Sequence, residues 1–440
     1  MKALDRVIGY QKAKEQLLQI LDMLNSSERY KKIGAKLPHG VLLYGEPGMG
    51  KTLLATSFIE DSGIRCFRNR DNGTSNIRKA FEEAAKEEKA IVFFDDMDKM
   101  SRNEWDTETT SAIQAGIDSV KDKAVLVIAT ANDIKKLPDS LKRSGRFDRK
   151  IELTVPSRKD ARAIVEYYLR KREVDPNANY EDISRMISYS SCADLDKIVN
   201  EAAIIAGYKQ KSAVGTEDLV EAYLAGEFPI DEWEEKSFDE RASACVHEAG
   251  HAAISEIIKK GSVGLVSART HGGLTKRCIA PIRRPQLVLI SLAGKASCEL
   301  FDKGRVAGGC YSDLTNAYAY LEAGIAHNAI DGFNLLRPAD SLALSLSESH
   351  KSKVEEAVTH DLGHYFYLCK DILFKNKDFV LALASELSKK GVLLYSDIQA
   401  IRAKHVIVPC EYSEPDDGGD DSLNPEDFER RPIPDKDDIS

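Results

Sequence analysis

The stretch GEPGMGKT, residues 45–52, stands directly after the apolar run Val41–Tyr44. A strand, a glycine loop and a helix opening near Thr52 are the setting in which backbone N–H groups turn inward around a phosphate. Gly45, Gly48 and Gly50 permit that turn, and Met49 and Leu53 belong to the same nucleotide-contacting set. Lys51 is placed to reach the β- and γ-phosphates, and the Thr52 hydroxyl to bind Mg²⁺. Working outward, GVLLY (40–44), AIVFF (90–94) and AVLVIAT (124–130) read as buried strands between turn signals. Their alternation with amphipathic stretches up to about residue 155 predicts a mostly parallel sheet covered by helices.

Two further strand ends add to the site. IVFFDD ends in Asp95 and Asp96, carboxylates suited to hold Mg²⁺ and to polarise an attacking water. Alone they would read as a solvated acidic turn; beside a phosphate loop they do not. VLVIATAN ends in Asn132, which can position water against a γ-phosphate, and SGRFDR (144–149) follows it. Arg146 and Arg149, offered across a subunit boundary, would stabilise transferred-phosphoryl charge. Each arginine taken singly is a surface charge.

Beyond residue 157 the periodicity is helical up to about 226, and Pro229–Lys236 is a charged connector. Ser237 with Glu240 forms a capping box before an apolar helix. On that helix CVHEAGHAA (245–253) sets His247 and His251 four apart on one face, a spacing that lets two imidazoles meet one tetrahedral ion. Glu248 is placed to act as general base on an attacking water. The bland alternative is two polar positions toward solvent, but Ala249, Gly250, Ala252 and Ala253 suit a close-packed, buried helix. Residues 238–408 read as mainly helical, with a short strand region near Gly264–Ile282. Downstream, GGCYSDLTNAY (308–318) offers Asp313, which by itself would read as a helix N-cap.

GEPGMGKT, IVFFDDMDKM, ATAND and SGRFDRKIEL, in this order, resemble an AAA+ ATPase domain, and CADLDKIVNEAA (192–203) resembles its helical lid. HEAGH, then LAGKASCELF, then a glycine-rich run ending in SDL, resemble the peptidase domain of the FtsH family, AAA+ zinc proteases that are usually membrane-anchored. The resemblance covers about residues 3–405. It implies an α/β P-loop AAA+ domain with a helical lid, followed by a mainly α-helical zinc metallopeptidase domain. The divisions expected are 1–155 for the nucleotide domain, 156–228 for the lid, 229–237 for a linker, 238–408 for the peptidase and 409–440 for an acidic disordered tail. By motif match Lys51 and Thr52 are Walker A, Asp95 and Asp96 Walker B, Asn132 sensor 1, and Arg146 and Arg149 arginine fingers. Val7–Gly9 would border the adenine. Asp313 inherits the place of the third zinc ligand beside His247 and His251, and Glu299 is a further candidate behind the ligands.

The implied function is an ATP-dependent zinc endopeptidase, with Zn²⁺, ATP and Mg²⁺ as cofactors and polypeptides as substrates. A homo-hexamer is the implied assembly. Two alternatives stand beside it: a remodelling ATPase or assembly factor with a structural peptidase domain, and a peptidase with weak ATPase acting on small or unfolded chains. Three departures from the family pattern stand in the sequence, and the first two motivate the remodelling reading. Asp96 replaces the family's Walker B glutamate. The pore-loop positions read Asn69, Arg70 and Asp71 instead of aromatic–Val–Gly, with Phe67 available only in a shifted register. Ser312 precedes Asp313 where the family has asparagine.

Composition excludes some classes. The formal net charge of −9 is matched by the 12 acidic and 3 basic side chains of Glu411–Ser440, which leaves the body near neutral and makes no case for nucleic-acid binding. The tail is a solubility tail or a docking arm. Eight cysteines without a CxxC pair fit a reducing compartment. The charged start MKALDRVIGYQKAKEQ is no secretory signal, and the longest apolar runs fall short of a membrane span. The expectation is a soluble intracellular chain, either natural or truncated before the ATPase, without a direct membrane span.

Overall fold

The computed structural model describes residues 3–69, 73–100, 107–227, 237–270, 273–279, 283–303, 310–328 and 348–414. The chain divides into two compact units, Met1–Tyr168 with Tyr189–Lys197, and Leu169–Ser188 with Ile198–Ser440. The helical segment expected as a lid is shared between them.

The first unit is built on five strands: β1 (Gly40–Tyr44), β2 (Cys66–Asn69), β3 (Lys89–Phe94), β4 (Ala124–Ala131) and β5 (Arg149–Glu152). They run parallel in the order β2-β3-β4-β1-β5. Alternate side chains of the central strands enter two separate cores, as a sheet covered on both faces requires. Leu43, Ile91, Phe93 and Ile128 pack with Leu17, Leu54 and Phe58 on one face. Leu42, Val92, Phe94 and Val127 pack with Phe81, Ile113 and Ile117 on the other. Full burial of each such side chain contributes about 1.5–3 kcal/mol. The three strands expected from the sequence are β1, β3 and β4. The two edge strands, CFRN and RKIE, escape the pattern because they are short and charged, which is how sheet edges avoid pairing with other chains.

The second unit holds one large core among the helices Phe238–Ile258, Arg284–Phe301, Cys310–Asn328, Glu348–Lys375 and Lys377–Lys390. A small antiparallel sheet flanks it: β6 (Val263–Ser267), β7 (Leu274–Arg277) and β8 (Val392–Leu394), in the order β7-β6-β8. β6 and β7 fall in the expected strand region; β8 is three residues long and leaves no pattern to read. The helix Phe238–Ile258 starts at the expected capping box, in which the Ser237 hydroxyl accepts from Glu240 N–H while Glu240 accepts from Ser237 N–H. Its far end is closed by the last described residues. Ser413 Oγ donates to the Ile257 carbonyl at 2.8 Å and Glu414 N–H to the Ile258 carbonyl at 2.7 Å, so carbonyls left orphaned by the helix end are paired. Asn376 holds the approach to this segment, exchanging hydrogen bonds with both backbone groups of Val408.

No helix among the described residues is long and apolar enough to cross a membrane. Asn69 ends β2 and is 6% exposed, so this expected gripping position is a buried strand residue. Arg70, Asp71, the connector 229–236 and the tail from 415 lie outside the described residues.

Candidate nucleotide site and metal centre

The phosphate loop joins the end of β1 to the helix Lys51–Ser62. Gly48 and Gly50 have φ of 83° and 81°, the left-handed region that side chains with a Cβ avoid, and this is what aims the loop's N–H groups inward. Lys51 is 5% exposed and donates from Nζ to the carbonyls of Gly45 and Glu46, at 2.7 and 2.6 Å. Burial lowers its pKa, with Asp96 and Asp98 acting against that shift. A phosphate arriving in the loop would therefore find the ammonium already inside it. Met49 is buried and Leu53 half exposed.

Asp95, just past β3, accepts from Thr52 Oγ1 at 2.8 Å and from Thr130 Oγ1 at 2.7 Å. The Thr130 hydroxyl also accepts from Asp96 N–H at 2.8 Å. The loop helix, β3 and β4 are thus pinned at one point. Asp96 itself has φ of 49°, and its carboxylate pairs with Lys99 at 2.6 Å. Asn132 N–H donates to Asp98 at 2.9 Å. Arg146 is held within its own unit, 3.6 Å from Asp118 and bonded to the Ser140 carbonyl, while Arg149 opens β5 with its side chain exposed. Thr130 and Asp98 were missed in the sequence. A threonine inside an apolar strand and the spacing DDMD are the signals that mark them.

In the second unit His247, Glu248 and His251 are 1%, 3% and 8% exposed on the helix Phe238–Ile258. Asp313 lies in the first turn of Cys310–Asn328. Its Oδ2 is 3.0 Å from His247 Nε2 and 3.2 Å from His251 Nε2, and the two Nε2 atoms are 3.1 Å apart. Two ring nitrogens and a carboxylate oxygen converging on one point make a donor set that can hold a cation. A tetrahedral ion with ligand distances near 2.0–2.1 Å separates its ligand atoms by about 3.4 Å, so the donor set fits zinc. Burial works against a charged His247, yet the Asp313 carboxylate, helped by Cys298 and Cys310, lifts its pKa to about 12. Against its own burial, Asp313 is held well below the usual carboxylate range by the two histidines. Both directions express the same demand for positive charge.

The helix Arg284–Phe301 makes the space. A methyl on Gly294 would lie 2.4 Å from His247 Cε1 and 2.5 Å from the Nε2 atom of either histidine. Gly250, inside HEAGH, lets the same helix approach: its Cβ would stand 2.5 Å from the Ala293 carbonyl. His251 Nδ1 donates to the Ile290 carbonyl at 2.7 Å, which turns Nε2 toward the centre. Glu248 Oε2 accepts from Thr275 Oγ1 at 2.7 Å, and Gly273 leaves the neighbouring Oε1 without a side chain against it. Burial pushes the Glu248 pKa up, with the two histidines and Thr275 acting the other way. Glu299, expected behind the ligands, instead pairs with Lys295 and Lys370 at 2.9 and 3.3 Å. It sits on the outer side of its helix, where lysines reach it.

The comparisons with known proteins fit both sites. Residues 41–155 match the AAA family, the ATPase family associated with various cellular activities. The ATP-dependent zinc metalloprotease FtsH 3 of Sphaerobacter thermophilus is 31% identical over 72% of this chain and 71% of its own length. The chain belongs to the FtsH family. FtsH 2 of Thermoanaerobacter sp. is 28% identical over 90% of the chain and 82% of itself. The chain spans about half the length of some of its FtsH relatives, 53% for FtsH 2 of Sphaerobacter thermophilus and 42% for FtsH of Malacoplasma penetrans. Membership of the FtsH family and this donor set together imply Zn²⁺, ATP and Mg²⁺.

Among the residues that surround the two FtsH-type sites, Thr275 and Gly273 carried no signal in the sequence, and Gly294 stood only as one letter of LAGKASCELF. Their places depend on which helix and strand face the histidines, and that is a tertiary fact.

Proposed function

We propose that this chain is an ATP-dependent zinc endopeptidase that delivers polypeptides to its metal centre for peptide-bond hydrolysis. The observation that carries the reading is the convergence of His247, His251 and Asp313 within 3.0–3.2 Å, with Glu248 on the same buried helix. When bound, zinc supplies Lewis acidity toward the scissile carbonyl and the attacking water. Glu248 takes a proton from that water at Oε1 and returns it to the leaving amine, while Thr275 holds Oε2. A carboxyl raised by burial suits both halves of that transfer. No covalent intermediate with the chain is required.

On the nucleotide side Lys51 would bind the β- and γ-phosphates, and Thr52 and Asp95 would hold Mg²⁺, which would neutralise phosphate charge. Asn132 orients water, and Arg146 and Arg149 reach the nucleotide of a neighbouring subunit in a homo-hexamer. The helices from 156 to 228 serve as the lid. The test is fragment release from an unfolded protein with ATP and zinc. Native chain should cleave and Glu248→Gln should not; equal fragment release by the two would sink the reading.

The remodelling alternative has one observation in its favour: the Asp96 carboxylate is engaged by Lys99. A short carboxylate already ion-paired polarises water weakly, which slows hydrolysis. Under this reading ATP-dependent release of a bound protein survives in Glu248→Gln.

A further inference from the structure

Three residues before Asp313, on the same face of the helix Cys310–Asn328, stands Cys310. The His247 ring lies between the two. Its Nε2 is 3.0 Å from Asp313 Oδ2 and its Nδ1 is 3.8 Å from Cys310 Sγ. Cys310 is 5% exposed and His247 1%, so both ends of the imidazole are held inside protein. One helical turn thus grips one ring at both nitrogens. His251 is braced in another way, by the backbone carbonyl of Ile290 at 2.7 Å.

We infer that Cys310 is a positioning residue for the metal centre: its sulfur accepts the Nδ1–H of His247 and so keeps Nε2 turned, unprotonated, toward the ion. The inference rests on the zinc reading above. Cys298 also hydrogen-bonds His247, so losing Cys310 removes one of two thiols that act on the ring and favours the tautomer that carries its proton on Nε2, where it cannot bind metal. Sulfur is a weak acceptor, so His247 is the less firmly oriented of the two imidazoles. Groups that orient a ligand from behind typically change metal affinity by 10–100-fold when removed, and a weak acceptor belongs at the lower end.

The experiment measures zinc dissociation constants of the full chain by competition with a chromophoric chelator. It compares native protein with Cys310→Ala, Cys310→Ser and Cys369→Ala. Cys369 is a fully buried thiol in the helical core of this unit, facing the Leu289 carbonyl at 3.6 Å, and reports the effect of losing a packed sulfur. Cys310→Ala should bind zinc about 10-fold more weakly. Cys310→Ser keeps an acceptor and should stay within about 3-fold of native. Cys369→Ala should melt at lower temperature with zinc affinity unchanged. Native affinity in Cys310→Ala overturns the inference. So does equal weakening in Cys310→Ala and Cys310→Ser, or in Cys310→Ala and Cys369→Ala. If native protein fails to bind zinc, the metal reading itself falls and takes this inference with it.

Discussion

The phosphate loop draws its grip from eight consecutive residues, 45–52, and mostly from backbone groups. The metal centre draws side chains from two helices, with Asp313 62 positions after His251, and a third helix supplies the clearance. The loop's geometry is dictated locally, by glycines at positive φ after a buried strand. The metal geometry is dictated by how closely helices cross. Small changes in packing should therefore leave the first intact and ruin the second.

Gly294→Ala is the sharpest way to break that contrast. Its methyl would press on both histidines, and moving either ring by even about 1 Å takes it out of ligand range. We expect zinc affinity to fall by at least about 100-fold, the upper end for disturbed metal surroundings, with ATP turnover unchanged. A chelator competition and an ATPase assay on one preparation decide it; retained zinc binding would refute the clearance argument. The reciprocal change is Lys51→Ala. Loss of a charged hydrogen bond worth about 1.5–3 kcal/mol should weaken nucleotide binding roughly 10- to 100-fold, and zinc affinity should not move. Binding of a fluorescent nucleotide measures the first half.

Thr275→Val separates positioning from binding within the metal unit. The hydroxyl that orients Glu248 is gone but no ligand is touched. Peptidase kcat should drop about 10-fold, matching a hydrogen bond of ~1–1.5 kcal/mol, at unchanged zinc affinity. Equal loss of zinc would place Thr275 in the metal's support instead. Smallest is Asp96→Glu, which lengthens the carboxylate toward the water. ATP turnover should rise several-fold; a fall would show that the Lys99 pair is part of the working arrangement.

The same contrast explains what could be read from the sequence. The loop, β1, β3 and β4 are local, and each was legible from a run of about five to eight residues. HEAGH was legible because a helix brings positions 247 and 251 together by itself. The place of Asp313 came from resemblance, since nothing in GGCYSDLTNAY alone ties it to a helix about 60 residues earlier; in the structure it stands 3.0 Å from His247. Glu299 was misplaced for the complementary reason. Helical spacing gives a face, but which face meets the histidines is set by the crossing at Gly250 and Gly294. β2 and β5 were hidden by the charges that protect an edge.

The closure of the histidine helix by Ser413 and Glu414 has a consequence for biosynthesis. His247 and His251 leave the ribosome well before Asp313, and the Ile257 carbonyl waits 156 positions from its own synthesis for its Ser413 partner. At about 5–20 residues per second that interval is roughly 8–30 s. Through most of it the histidine helix carries unpaired carbonyls at its far end, so that end is among the last features of the described fold to close.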